Sequence, residues 1–265
     1  MNAPLAAGNA RVKEARKLSR RSVRTERRLF LADGPKSVEG ALGVDGCVQE
    51  VFATPKGAEE YADLLTAAPL VTLVDDRAMA GLSDSVTPAG VVALCRFVDV
   101  PQEDLTGPLL AICADVRDPG NAGTVIRCAD AAGATGVVLA GDSVDLYNPK
   151  TIRASVGSAF HLPVAVEREP AIAVRTAQAA GLVVLAADMH GDADLFEADD
   201  LLARPTAWLF GNEAWGLPAD LIALADHVVS IPIFGRAESL NLSTAAALCL
   251  YASARAQRRV APPTG

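Results

Sequence analysis

Five apolar, β-rich runs at 109–114, 136–140, 182–187, 207–210 and 227–233 dominate the last ~150 residues of the chain, with helical stretches between them. Strands apolar on both faces and separated by helices predict a parallel sheet covered on both sides. Ahead of them, short strands at 28–32, 48–53, 71–74 and 90–94 alternate with helical segments at 37–42 and 57–66, which predicts a smaller α/β unit. The polar, acidic, Pro-containing stretch 97–107 reads as the join. The domains expected are therefore 1–100, a linker at 101–107, and 108–265, with residues 1–10 a disordered start.

With 265 residues, about half of them hydrophobic, the chain can bury a substantial core. No apolar run approaches the ~20 residues of a membrane span, and no apolar stretch follows the basic N-terminal segment as in a secretory signal. Both features point to a protein of the cytoplasm with no membrane partner. The five cysteines, Cys47, Cys95, Cys113, Cys128 and Cys249, are widely spaced in apolar surroundings and suit reduced core thiols. His161, His190 and His227 lack metal-ligand spacing, so no metal site is expected.

Net charge is −8, yet residues 11–28 hold nine Lys or Arg against two Glu, a local +7 that leaves −15 for the rest. A basic helix over 11–28 suits a polyanion held by one segment of an acidic protein, with Arg16, Arg20, Arg21, Arg24 and Arg27 as candidate RNA contacts. The plain alternatives are a solvated basic helix and a simple surface tail.

Three junctions carry unusual polar content. In Asp115–Gly133, a turn through Asp118, Pro119 and Gly120 enters a helix for which Asn121 is an apt N-cap and Gly133 an apt terminator. Arg127 either pairs with Asp130 at i,i+3 or serves as a fixed cation near an anion site. In 209–218 a strand ends in Gly211-Asn212-Glu213. Gly211 lets a ligand or another backbone approach closely, and Glu213 is otherwise a plain charge at a helix start. In 231–250, Ser239, Asn241 and Ser243 crowd the mouth of a long Ala-rich helix. One cap would suffice there, so the excess points to a ligand. There is no G-x-G-x-x-G loop, Walker lysine or G-x-S-x-G elbow.

In this order the three segments resemble the motifs of the SpoU (TrmH-like) RNA ribose 2′-O-methyltransferases. They are N-x-G-x-x-x-R (Asn121, Gly123, Arg127), G-N-E-x-x-G-L (Gly211 to Glu213, Gly216, Leu217) and I-P-x-x-G-x-x-E-S-L-N-x-S (Ile231, Pro232, Gly235, Glu238 to Asn241, Ser243). Tyr147 to Lys150, followed by Arg153, is similar to the ribosomal-RNA branch of that family, and the N-terminal unit to its RNA-binding domain. The resemblance implies a C-terminal domain with a deep trefoil knot and a homodimer with the active site at its interface. It implies S-adenosylmethionine as methyl donor, held around Gly211, Asn212, Ile231, Pro232, Leu240 and Leu242. Asn121, Arg127, Glu213, Ser239 and Asn241 would form the catalytic site, and Arg153 would join the RNA contacts. Arg127 would bind the neighbouring phosphate and stabilise developing oxyanion charge, since a guanidinium stays protonated and makes a poor base. The alternatives are a tRNA-directed relative and a non-catalytic RNA-binding or ribosome-associated protein of the same fold.

Overall fold

The computed structural model describes residues 3–260, which divide into two compact units, Met1–Val98 with Asp145–His161, and Asp99–Val144 with Leu162–Gly265. The first unit carries a four-stranded sheet of β1 (Leu29–Asp33), β2 (Val48–Ala53), β3 (Val71–Leu73) and β4 (Val91–Arg96) in the order β1-β4-β2-β3. β4 runs antiparallel to both neighbours, and β2 pairs with β3 in parallel. One face of the sheet packs Leu31, Phe52 and Val92 against Val12, Ala15 and Leu18 of the N-terminal segment and Ala78, Met79 and Leu82 of the Asp76–Leu82 helix.

The basic segment is not one helix. It breaks into Ala10–Arg16, a 3₁₀ turn at Lys17–Ser19 and Arg21–Arg27, with Arg20 extended at ψ 128°. The break lets Arg24 turn inward. Its guanidinium is 3% exposed, donates to the carbonyls of Leu18 and Ser19 at 2.8 and 2.9 Å, and meets Asp145 Oδ2 at 2.5 and 2.9 Å. Nor is the start disordered as expected. Met1 and Asn2 lie outside the described residues, but Leu5 already bonds to the Leu73 carbonyl at 2.8 Å.

Residues 145–161, expected within the second domain, belong to the first unit. Tyr147 stacks on Phe97 at 3.7 Å and meets Phe30 at 4.6 Å, and Phe160 stacks on Phe30 at 6.1 Å. These rings cover the apolar side of β1, which local sequence periodicity could not reveal. Residues 97–107 are also more ordered than a linker. Val100 bridges to Ala165, and buried Gln102 donates to the Ala173 carbonyl at 2.8 Å.

The second unit is a seven-stranded, all-parallel sheet of β5 (Leu109–Ala114), β6 (Gly136–Ala140), β7 (Val164–Glu167), β8 (Val183–Ala187), β9 (Ala193–Asp194), β10 (Thr206–Phe210) and β11 (His227–Ser230). Its order is β7-β6-β5-β10-β8-β11-β9, so β10 is inserted between β5 and β8. One face buries Leu110, Ile112, Val138, Val184 and Leu209 against the Pro170–Ala179 helix. Against the other face lie Pro119–Ala132 and Leu242–Val260, where buried Trp208 donates through Nε1 to Ser253 Oγ at 2.9 Å. Small side chains along Leu242–Val260, among them Ala246, Cys249 and Ala256, allow that close approach. All five cysteines are free thiols, and four are buried. Among the described residues no helix is long and apolar enough to cross a membrane.

Removing Arg24 takes its cation from the half-buried Asp145 carboxylate and leaves the Leu18 and Ser19 carbonyls without their donor. Arg24→Ala should therefore destabilise the first unit by ~3–5 kcal/mol in urea unfolding. A change under about 1 kcal/mol would show that the pair is a surface-like contact.

Candidate active site

Parallel strands deliver their C-terminal ends to one edge of the sheet, and β5, β10 and β11 each end there in a motif-bearing loop. Directly after β5, Asp115 takes a left-handed φ of 55°, which costs a non-glycine residue roughly 1–2 kcal/mol. Three hydrogen bonds hold it there. Its N–H donates to the Ala140 carbonyl at 3.0 Å, its carbonyl accepts from Asn212 Nδ2 at 2.6 Å, and its Oδ1 accepts from the Asp142 amide at 2.7 Å.

The chain then enters the Pro119–Ala132 helix, whose N-cap is Asp118 rather than Asn121. Asp118 accepts from the Asn121 amide at 2.8 Å, with Pro119 at the first helical position. The D-P-x-N spacing carries this signal. Asn121 sits in the first turn with its side chain released from capping, and Gly133 ends the helix at φ 76° as expected.

After β10, Gly211 faces the chain's own backbone. A Cβ there would lie 2.4 Å from the Gly216 carbonyl carbon. The turn is closed by Asn212 N–H to Gly216 O at 3.0 Å and Gly216 N–H to Asn212 O at 2.9 Å, while Asn212 Oδ1 accepts from the Ala214 amide at 2.8 Å. Glu213 thereby faces the β5 turn. Its carboxylate accepts from the amides of Arg117 and Asp118 at 3.2 and 3.1 Å and from Asn121 Nδ2 at 3.1 Å. Burial pushes the Glu213 carboxyl upward, but the bonds from Asn121, its own amide, Arg117 and Asp118 together outweigh it and hold the group below its ordinary 4.5.

A carboxylate only accepts, so Asn121 turns its NH₂ to Glu213 and leaves Oδ1 for a donor. Asn241 supplies it, through Nδ2 at 3.1 Å. Asn241 Oδ1 in turn caps the Leu242–Val260 helix, accepting from the Ser243 amide at 2.9 Å and hydroxyl at 2.7 Å. The relay Glu213–Asn121–Asn241–Ser243 thus ties one residue or more from each motif into a single chain of bonds.

Ser239 stands outside this relay, on the exposed part of the coil 231–240. Arg127 does as well. Six residues beyond Asn121, it lies about 9 Å further along the helix and on a different side, exposed. Ile231, Pro232, Leu240 and Leu242 are half-buried. Among the described residues, no backbone–backbone hydrogen bond uses the main chain of 231–240. That coil combines unused amides and carbonyls with half-buried apolar side chains, a donor set that fits the adenine and amino-acid groups of S-adenosylmethionine. Among the described residues no group of three or more His, Cys, Asp or Glu is placed to hold a metal.

In the first unit Arg16, Arg20, Arg21 and Arg27 are exposed, though Arg27 pairs with Glu14 at 2.8 Å. Arg24 is buried as described, so its expected RNA contact is replaced by a structural role. Arg153 lies 3.3 Å from Asp84 and 3.9 Å from Asp33, which offset its charge.

Because Glu213 titrates below its ordinary value when folded, its stabilisation is complete above pH ~4.5 and is lost as pH falls through the lower folded value. Glu213→Gln should lower the urea midpoint at pH 7, and the gap from the wild type should shrink as pH drops below 4.5. A gap independent of pH would show that charge is not what holds the turn.

A family model described as the SpoU rRNA Methylase family matches residues 108–251, and one described as the MRM3-like substrate binding domain matches 9–93. The chain is 35% identical over 246 residues to the 23S rRNA (guanosine(2553)-2'-O)-methyltransferase RlmP of Bacillus subtilis (strain 168), covering 92% of this chain and 96% of that protein. The AdoMet-bound rRNA methyltransferase structure from Sinorhizobium meliloti superposes with a TM-score of 0.81 at 34% identity, covering 96% of each chain. The SpoU methyltransferase AviRb from Streptomyces viridochromogenes, in complex with the cofactor AdoMet, gives 0.82 at 31% identity, covering 96% of this chain and 100% of that one. With its three motif loops meeting at one sheet edge and its sequence matched from 108 to 251, the chain belongs to the SpoU rRNA methylase family.

Proposed function

We propose that this protein transfers a methyl group from S-adenosylmethionine to a ribose 2′-hydroxyl of ribosomal RNA. The observation that carries the reading is the relay Glu213–Asn121–Asn241, which joins the three motifs at the C-terminal edge of the parallel sheet. The names of RlmP and of the Sinorhizobium meliloti neighbour favour ribosomal RNA over tRNA. An intact relay argues against a non-catalytic relative, in which such a network has no work to do.

When bound, S-adenosylmethionine supplies an electrophilic methyl on a sulfonium. The residues of the chain then have four tasks. The main chain of 231–240, Gly211 and Asn212, with the apolar sides of Ile231, Pro232, Leu240 and Leu242, hold the donor. Glu213 and Asn121 fix the floor on which the ribose rests, and alignment of oxygen, methyl and sulfur is the larger part of such a displacement. Arg127 binds the phosphate beside the attacking hydroxyl and stabilises the charge that grows on the oxygen. Ser239 orients the donor side of the site.

The distance of Arg127 from the relay within one chain supports a homodimer in which it serves the partner's site. The insertion of β10 between β5 and β8, with Leu242–Val260 returning against Pro119–Ala132, supports a knotted path for the C-terminal domain. The exposed arginines Arg16, Arg20 and Arg21 support RNA binding by the N-terminal unit, and the kinship with rRNA methyltransferases supports work in the cytoplasm.

The test is to map 2′-O-methyl groups on ribosomal RNA from cells with and without the protein, alongside calorimetry with S-adenosylmethionine. One site should disappear without the protein, and the donor should bind. Arg127→Lys should cut methylation by about 100-fold or more while leaving donor binding in place, since a point charge cannot reproduce guanidinium geometry. Near-normal methylation by that variant, or no donor binding by the wild type, would contradict the reading.

A further inference from the structure

The chain has two tryptophans, and their surroundings are opposite. Trp208 is wholly buried with its N–H satisfied, whereas Trp215 is 57% exposed. Trp215 lies two residues beyond Glu213, in the turn that the Asn212–Gly216 pair closes and that Asn212 ties to the Asp115 carbonyl. Every one of those bonds comes from backbone or from Asn212, so none of the hydrogen bonds that close the turn needs an indole at 215.

Arg117 lies over one face of that indole, with its guanidinium carbon 5.2 Å from the ring centroid. The same residue donates its backbone N–H to Glu213, and its guanidinium reaches Asp142 at 3.5 Å. One face of the ring is therefore backed by a cation, on a residue that is more than half exposed. The platform is held to the same carboxylate that anchors the site.

We infer that the open face of Trp215 stacks an unpaired base of the RNA at the modified nucleotide, with Arg117 bracing the ring from behind. This rests on the reading of the site as an RNA ribose methyltransferase. RNA recognised at a particular nucleotide is mostly single-stranded, with its bases splayed out, and an aromatic face replaces the stacking that is lost. Every base has such a face, so Trp215 acts as a positioning residue and leaves the choice of base to other groups.

The experiment uses full-length wild type, Trp215→Phe and Trp215→Ala with unmodified 23S rRNA transcribed in vitro. It follows methylation kinetics, S-adenosylmethionine binding, oligomeric state and tryptophan fluorescence. Trp215→Ala should raise the KM for RNA on the order of 10- to 100-fold, with donor affinity and oligomeric state unchanged, and Trp215→Phe should keep most of the wild-type KM. RNA should quench wild-type emission, and Trp215→Phe should lose that quenching while still binding RNA, because Trp208 is buried away from it.

A wild-type KM in Trp215→Ala would overturn the inference. So would a changed oligomeric state in that variant, which would make Trp215 a contact between subunits. If the wild type fails to methylate the RNA, the broader functional reading is what fails. The quenching arm still decides the stacking, since binding without quenching would overturn it.

Discussion

A single carboxylate, Glu213, holds the candidate site together. It accepts from two amides of the turn after β5 and from the side chain of the first residue that reaches towards the third motif. Without it the Arg117 and Asp118 amides lose their shared acceptor, Asn121 loses the bond that sets its orientation, and Asn241 loses the oriented acceptor for its own amide. Glu213 and Asn241 are exposed and Asn121 is half-buried, so each bond is modest alone and the site is specified by the geometry the bonds share. The left-handed Asp115 fits the same logic, since its strain is offset by bonds to β6, to the following turn and to Asn212.

The relay and the coil 231–240, proposed to serve catalysis and donor binding, rest on different kinds of structure. The relay residues are locked by mutual hydrogen bonds and by helix starts. Among the described residues, no backbone pairing uses the main chain of 231–240, which leaves those groups open to a ligand. Arg127 belongs to neither part within one chain. Its helix is fixed by Asp118 at one end and Gly133 at the other, so it presents the guanidinium at a set distance from Asn121.

Much of the second unit was legible from apolar runs. β5 and β6 stand where the periodicity placed them, and β8, β10 and β11 differ only at their ends. β11 stops at Ser230 because Pro232 cannot continue a ladder. β7 was missed because Val166 is exposed and its alternation is short, and β9 is only two residues long. The three motifs were legible as segments, but the bonds among them span 92 and 120 residues, and no local pattern encodes such distances. The same holds for Arg24. Counted with its neighbours it read as a surface cation, yet its partner Asp145 lies 121 residues away and draws it inward. Asp118 differs: its D-P-x-N spacing is a local cap signal, yet the sequence reading puts the cap at Asn121, one turn later.

The central claim is that Asn121 and Asn241 act through one another. A double-mutant cycle on kcat/KM for methylation, with Asn121→Ala, Asn241→Ala and the double variant assayed on ribosomal RNA, measures this directly. The account predicts that the second substitution adds little once the first is made, with a coupling of about 0.5–3 kcal/mol. Strictly additive losses would mean that the two residues touch the donor or the fold independently, and that the relay does not organise the site.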